Sequence, residues 1–104
     1  MDMDIDIKIS TLSEKDKAAA KALGYLADAK SEATGAEIAL NQGPHGYFED
    51  EISAIHSAAA TMKFVWASIL HRVMDIAVAN GAARGDYVRF VDDEGETVSF
   101  VYVR

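Results

Sequence analysis

Three groups of residues in this chain have types that could do chemistry. His71 and Asp75 stand one helical turn apart, with His56 and Phe64 nearby on the same pattern. A histidine and a carboxylate at that spacing can share a metal, or act as a base with the group that orients it. Only two ligands are local, and no H-E-x-x-H or similar motif accompanies them, so a solvated or interface face of a helix accounts for them better. The loop Gly43-Pro44-His45-Gly46-Tyr47-Phe48 sets a histidine and two aromatics just before a helix start. A helix N-terminus can hold an anion, but Glu49, Asp50 and Glu51 already occupy that place. Turn chemistry and a hydrophobic staple explain most of the loop. The third group, Asp92-Asp93-Glu94-Gly95-Glu96, crowds acids around one glycine. It lacks the D-x-[DN]-x-[DN]-G pattern and distal glutamate of a calcium loop, and reads as a solvated turn. Trp66 and Tyr25 lie within apolar helical stripes, where core packing is the expectation. No glycine-rich phosphate loop, nucleophile elbow or Ser/His/Asp arrangement is present. The residues therefore predict no catalytic group, no metal and no cofactor.

The totals narrow the function classes further. The chain has 104 residues, enough for one domain with a modest core. Half of it is hydrophobic and 26% is charged, a globular composition. The absence of cysteine removes disulfides, thiolate chemistry and cysteine-ligated metals. Seventeen acids against ten Lys and Arg give a net charge of −7. Direct nucleic-acid binding needs a basic face, which this balance does not supply. An acidic chain is drawn instead to basic surfaces of other proteins. The start, Met1-Asp2-Met3-Asp4, has neither the basic end nor the apolar run of a secretory signal. The long apolar segment 48–80 is broken by Lys63, Arg72 and Asp75, against a membrane span. The expected location is the cytoplasm.

That apolar segment organises the elements that must position everything else. At helical spacing, Ile52, Ile55, Ala59, Met62, Trp66, Ile69, Val73 and Ala77 share one face. Its far side carries Ala54, Ala60, Phe64 and Ala67, so the helix should be covered from more than one direction. Before it, residues 3–9 alternate strictly and predict a half-buried edge strand with aspartates outward. Ser13 with Glu14 and Asp16 marks the start of a first helix, which ends at Asn41-Gln42-Gly43-Pro44. Gly24 and Gly35 weaken that helix, and a bend or break is expected near Gly35. The second helix ends at Asn80-Gly81. The last twenty residues predict a β-hairpin around a three-residue loop, Asp93-Glu94-Gly95, with Phe90 opposite Val98 and Val88 opposite Phe100. Those four and Tyr102 would form the core face, with Arg89, Thr97 and Ser99 outside. The fold class is α+β in the order β-α-α-β-β: one domain over residues 1–104, with a three-stranded sheet packed on a long helical hairpin.

If the elements alternate in direction, the strand start at Asp2 and Asp4, the helix start at Glu49, Asp50 and Glu51, and the turn at Asp92, Asp93, Glu94 and Glu96 gather at one end. That pole would hold more than half of the chain's 17 acids. Small, acidic, cysteine-free chains of this kind resemble, as a class, phage-encoded inhibitors of host defence, including anti-CRISPR proteins and DNA mimics. The expected function is a non-enzymatic protein-binding module, an inhibitor or accessory factor that docks its acidic pole on a basic, nucleic-acid-binding surface of a partner. The Ala60/Phe64/Ala67 side of the second helix is expected to pack against a second copy. The alternatives are a structural homodimer with no external partner, and a ligand-binding or enzymatic groove using His56, His71 and Asp75.

Overall fold

The computed structural model describes residues 4–104. Its elements are β1 (Asp4–Lys8), a single 3-10 turn (Ile9–Thr11), α1 (Glu14–Asn41), α2 (Glu49–Ala79), β2 (Tyr87–Val91) and β3 (Thr97–Tyr102). The architecture is the α+β order β-α-α-β-β that the sequence predicts, with two long helices packed together and one three-stranded sheet. Met1, Asp2 and Met3, which the alternating pattern placed at the start of β1, lie outside the described residues.

Helix boundaries follow the caps. The Ser13 hydroxyl accepts the Asp16 N–H at 3.2 Å, satisfying one of the free donors of the α1 start. The helix then runs unbroken through Gly35 to Asn41, so the expected break is absent. Alanines and long side chains flank Gly35, and one glycine weakens a helix by only about 1 kcal/mol relative to alanine. At the start of α2 the Glu51 carboxylate accepts the Phe48 N–H at 2.8 Å. Its end is a Schellman motif. Gly81, at φ +103°, donates to the Val78 carbonyl, and buried Ala82 donates to the Ala77 carbonyl at 3.0 Å.

The sheet order is β1-β2-β3, which leaves β1 at an edge as expected. Its direction is not the expected one. β1 runs parallel to β2, with Ile5 beside Val88 and Ile7 beside Phe90. An up-down alternation of elements would have made the pair antiparallel. Instead the helical hairpin and the loop after it form one long crossover that returns the chain to the starting edge of β1. Asp86 fixes that return: its carboxylate accepts the Ala83 N–H at 2.8 Å, and its carbonyl accepts the Val103 N–H at 2.9 Å.

The β2–β3 turn is the three-residue loop read from the sequence. Asp92 donates to the Glu96 carbonyl at 3.0 Å, and Gly95 is left-handed at φ +81°. The register beyond it differs. Val91 pairs with Thr97, but Phe90 pairs with Ser99, so Val98 is an extra residue in a bulge. The bulge flips the rest of the strand. Ser99, Val101 and Val103 face the core, while Phe100 is 54% exposed and Arg89 lies beside it on the outer face. The predicted pairs Phe90–Val98 and Val88–Phe100 do not form. Gly24 makes room for the bulge: a Cβ there would collide with the Val98 carbonyl oxygen. A residue that weakens α1 as an isolated helix is what lets α1 and β3 approach.

The core gathers where the sheet meets the helices. Ile7, Ile9, Ala20, Leu23, Val73, Ile76, Val88, Phe90 and Val101 are buried together, with Trp66 and Ile69 packed against them. Tyr25, expected in the core, is instead exposed on α1. Ala19, Ala20 and Leu23 are the buried residues of α1. Among the described residues, no helix is long and apolar enough to cross a membrane.

Candidate functional site

The acidic segments are carried by three separate places in this fold. Because β1 and β2 are parallel, Asp4 lies level with Tyr87 at the start of β2, while the Asp92–Glu96 turn follows its far end. A strand of this length separates them by about 15 Å. Glu49, Asp50 and Glu51 open α2 at the distal tip of the helical hairpin. Trp66 lines the same cleft as Asp92, Asp93 and Glu94. Glu51 is therefore more than about 20 Å from the turn along the helix axis, at 1.5 Å per residue. The single pole expected from alternating directions is thus drawn out and divided.

Each segment has its own geometry. In the turn, one Asp92 carboxylate oxygen accepts the N–H groups of both Glu94 and Glu96, at 3.0 and 2.9 Å. Asp92 is spent on holding the loop. Asp93, Glu94 and Glu96 are exposed around it. At the hairpin tip, Glu51 caps the helix and Asp50 accepts the Glu51 N–H at 3.0 Å, while Glu49 projects from the first turn. The loop before it is exposed throughout, and Tyr47 and His45 rings approach to 5.8 Å.

A cleft of about 820 Å³ separates α1 from the hairpin turn. Lys17, Lys21 and Asp28 line it from α1, Asp92 and Asp93 from the turn, and Trp66 from α2. The Lys30 ammonium sits 3.8 Å from the centre of the Trp66 ring, a cation–π contact. Buried Ser99 also borders the cleft, and its hydroxyl has no hydrogen-bond partner. The mixture of charges neutralises the cleft and selects no one class of ligand.

His56, His71 and Asp75 do not form one groove. His56 turns to α1, where its Nδ1 is 2.8 Å from the Glu37 carboxylate; the Lys63 ammonium is 3.5 Å from the other oxygen. The hydrogen bond with His56, aided by the charge of Lys63, holds the Glu37 carboxyl below the ordinary glutamate value. This cluster clips the two helices together in the distal half of the hairpin. His71 and Asp75 lie further along α2, on a separate depression that Leu70, Met74, Val78, Phe100 and Tyr102 also line. Among the described residues, no group of three His, Asp or Glu side chains could hold a metal.

On the outer sheet face, the Arg89 guanidinium donates twice to Asp6, at 3.1 and 2.8 Å, and once to the Thr97 hydroxyl at 3.2 Å. The fork lowers the Asp6 pKa and raises that of Arg89. Sequence reasoning missed all three of these ion pairs. Alternation in β1 does place Asp6 outward, but its partner could not be named without the parallel register. Ala60, Phe64 and Ala67 fall on the α2 side turned away from α1, with Phe64 74% exposed. No protein-family model, curated protein or solved structure matches this chain.

Proposed function

We propose that the chain is a non-enzymatic binding module, an inhibitor or accessory factor, that docks acidic surface on a basic, nucleic-acid-binding face of a partner protein. The observation that carries this reading is the hairpin turn. Asp92 fixes the loop backbone from within, so Asp93, Glu94 and Glu96 are exposed carboxylates on an ordered turn. A preordered row of negative charge resembles a stretch of phosphates, which is how DNA-mimic inhibitors of phage type are thought of as a class. Glu49 and Asp50, at the far tip, supply a second and separate acidic contact, so the acidic stripe a partner engages is an interrupted one.

The test leaves Asp92 in place, because it holds the turn. The variant Asp93→Lys/Glu94→Lys/Glu96→Lys should fold as the parent does. Its association with a basic partner recovered from the native host should be slower by at least tenfold. Binding by the parent should weaken steeply with salt, since exposed charges are screened beyond about 8 Å at physiological ionic strength. A triple variant that associates as fast as the parent, or binding indifferent to salt, would refute the acidic-stripe reading.

A further inference from the structure

The tip of the helical hairpin carries charge of one sign. From Ser31 to Met62 the chain holds five acids, Glu32, Glu37, Glu49, Asp50 and Glu51, and no Lys or Arg. The cations that border this stretch are both engaged. Lys30 lies on the Trp66 ring, and Lys63 reaches Glu37. The β2–β3 turn is less pure, since Lys17 and Lys21 line the same cleft as Asp92 and Asp93. Within the acidic tip stand two bare rings: Phe48 is 75% exposed and Tyr47 52%.

Both rings rise from a fixed backbone. The Phe48 N–H donates to the Glu51 carboxylate at 2.8 Å, and its carbonyl accepts the Ile52 N–H at 3.0 Å. The Tyr47 N–H donates to His45 Nδ1 at 3.3 Å. An aromatic side chain on ordered backbone loses little freedom when it is seated in a partner. Protein contacts commonly centre on such a ring and keep their charges at the rim. Here the rim says what covers the rings. Glu49 and Asp50 directly follow Phe48, so the occupant carries cations around an apolar slot. A second copy of this chain, at net charge −7, meets the tip with like charge. We propose that Phe48 and Tyr47 anchor the tip contact in an apolar slot on the basic face of a partner protein, ringed by Lys or Arg that pair with Glu49 and Asp50. The proposal rests on the acidic-docking reading and divides its labour. Exposed carboxylates set the rate of association, and the rings set the rate of dissociation.

Two defined probes test it: oligolysine, and a peptide of equal charge with leucines interleaved among the lysines. Titrated at low salt, the leucine–lysine peptide should bind at least about tenfold more tightly. Its largest amide shifts should fall on residues 45–52. Phe48→Ser should remove that advantage and leave oligolysine binding unchanged. Phe48 is the N-cap of α2, a position that serine fills well, so the variant keeps the helix start. Phe64→Ser deletes a ring 74% exposed outside the acidic tip, and should leave both affinities as they are. Equal affinity for the two peptides, an unchanged advantage in Phe48→Ser, or its loss in Phe64→Ser would overturn the anchor. The acidic reading survives any of these while oligolysine binding still weakens with salt. Oligolysine that does not bind, or binds regardless of salt, would sink the acidic reading, and the anchor with it.

Discussion

The two halves of the helical hairpin are built on different principles. Near the sheet, Leu23, Val73, Ile76 and Ala77 are buried against Ile7, Val88 and Phe90. Far from it, Ala59 is the one fully buried residue of α2, while Ile52, Ile55 and Met62 are only partly covered and Ile38, Tyr47 and Phe48 are exposed. The proximal half packs against the sheet as well as the other helix, and the distal half only against the other helix. Burial of large apolar side chains is the main favourable term in folding. Stability should therefore be concentrated at one end of a molecule 49 Å long, and the other end left available for contacts with something else.

The largest expected effect sets a proximal residue against a distal one. Phe90→Ala empties the centre of the core and should cost about 3–5 kcal/mol in urea unfolding. Phe64→Ala should stay within about 0.5 kcal/mol, as at most surface sites. Equal losses would erase the distinction between the halves.

The two α1 glycines sharpen it with opposite signs. Gly24→Ala drives a methyl group into the Val98 carbonyl and should destabilise by about 1–3 kcal/mol, the usual cost of overpacking. Gly35→Ala meets nothing within 4 Å and should stabilise by up to about 1 kcal/mol through helix propensity alone. Thermal melts of the two variants should move in opposite directions.

Hydrogen exchange should map the same gradient along α2 without any substitution. Amides of residues 53–58 should exchange through local opening, and those of residues 73–77 only near global unfolding, because opening free energy follows buried apolar contact. Uniform protection along the helix would contradict a two-part hairpin.

The smallest effect is a pH dependence. Glu37 has a lowered pKa in the folded chain, so its bonds to His56 and Lys63 stabilise the fold above the ordinary value of 4.5. That contribution fades as pH falls below 4.5 and is gone once pH has passed through the depressed folded value. Asp6, paired with Arg89 on the sheet, behaves alike from an ordinary value of 3.8. On acidification, the distal amides should lose protection before those of β1. Glu37→Gln should remove the acid sensitivity of the distal amides alone.

Much of this was legible from residue pattern, and the failures have a common cause. Ser13, Asn80-Gly81 and Gly95 punctuate the chain through local backbone chemistry, so boundaries and turn type could be read directly. Alternation in β1 likewise gave its buried face. The bulge could not be read, because both faces of β3 are apolar. Val98, Phe100 and Tyr102 make one alternating set and Val101 and Val103 another, so hydrophobicity does not choose the phase. Strand direction is also silent in local sequence, and the parallel pairing of β1 with β2 is what divides the acidic pole. Gly24 showed its helix penalty but not its purpose, which lies on another element. The Glu37–His56 contact spans two helices, and nothing on either one marks the other as its partner.

The parallel pairing of β1 with β2 has a kinetic consequence. Asp6 and Arg89, which bond across it, are 83 positions apart in the chain. The two helices can form and pair through nearby contacts, and the terminal hairpin can close across three residues. β1 can do neither, since β2, its strand neighbour among the described residues, lies far along the chain, as the 83-residue span from Asp6 to Arg89 shows. Bringing such distant segments together carries the loop-closure entropy of nearly the whole chain, and contacts of that kind slow folding. The order of events is then set: helices and hairpin dock first, and β1 adds to an open edge of β2 afterwards. Substitutions in β1, such as Ile7→Val, should accelerate unfolding and leave the folding rate almost unchanged. Until that last step, the chain that will be the central strand of the sheet is an unpaired edge.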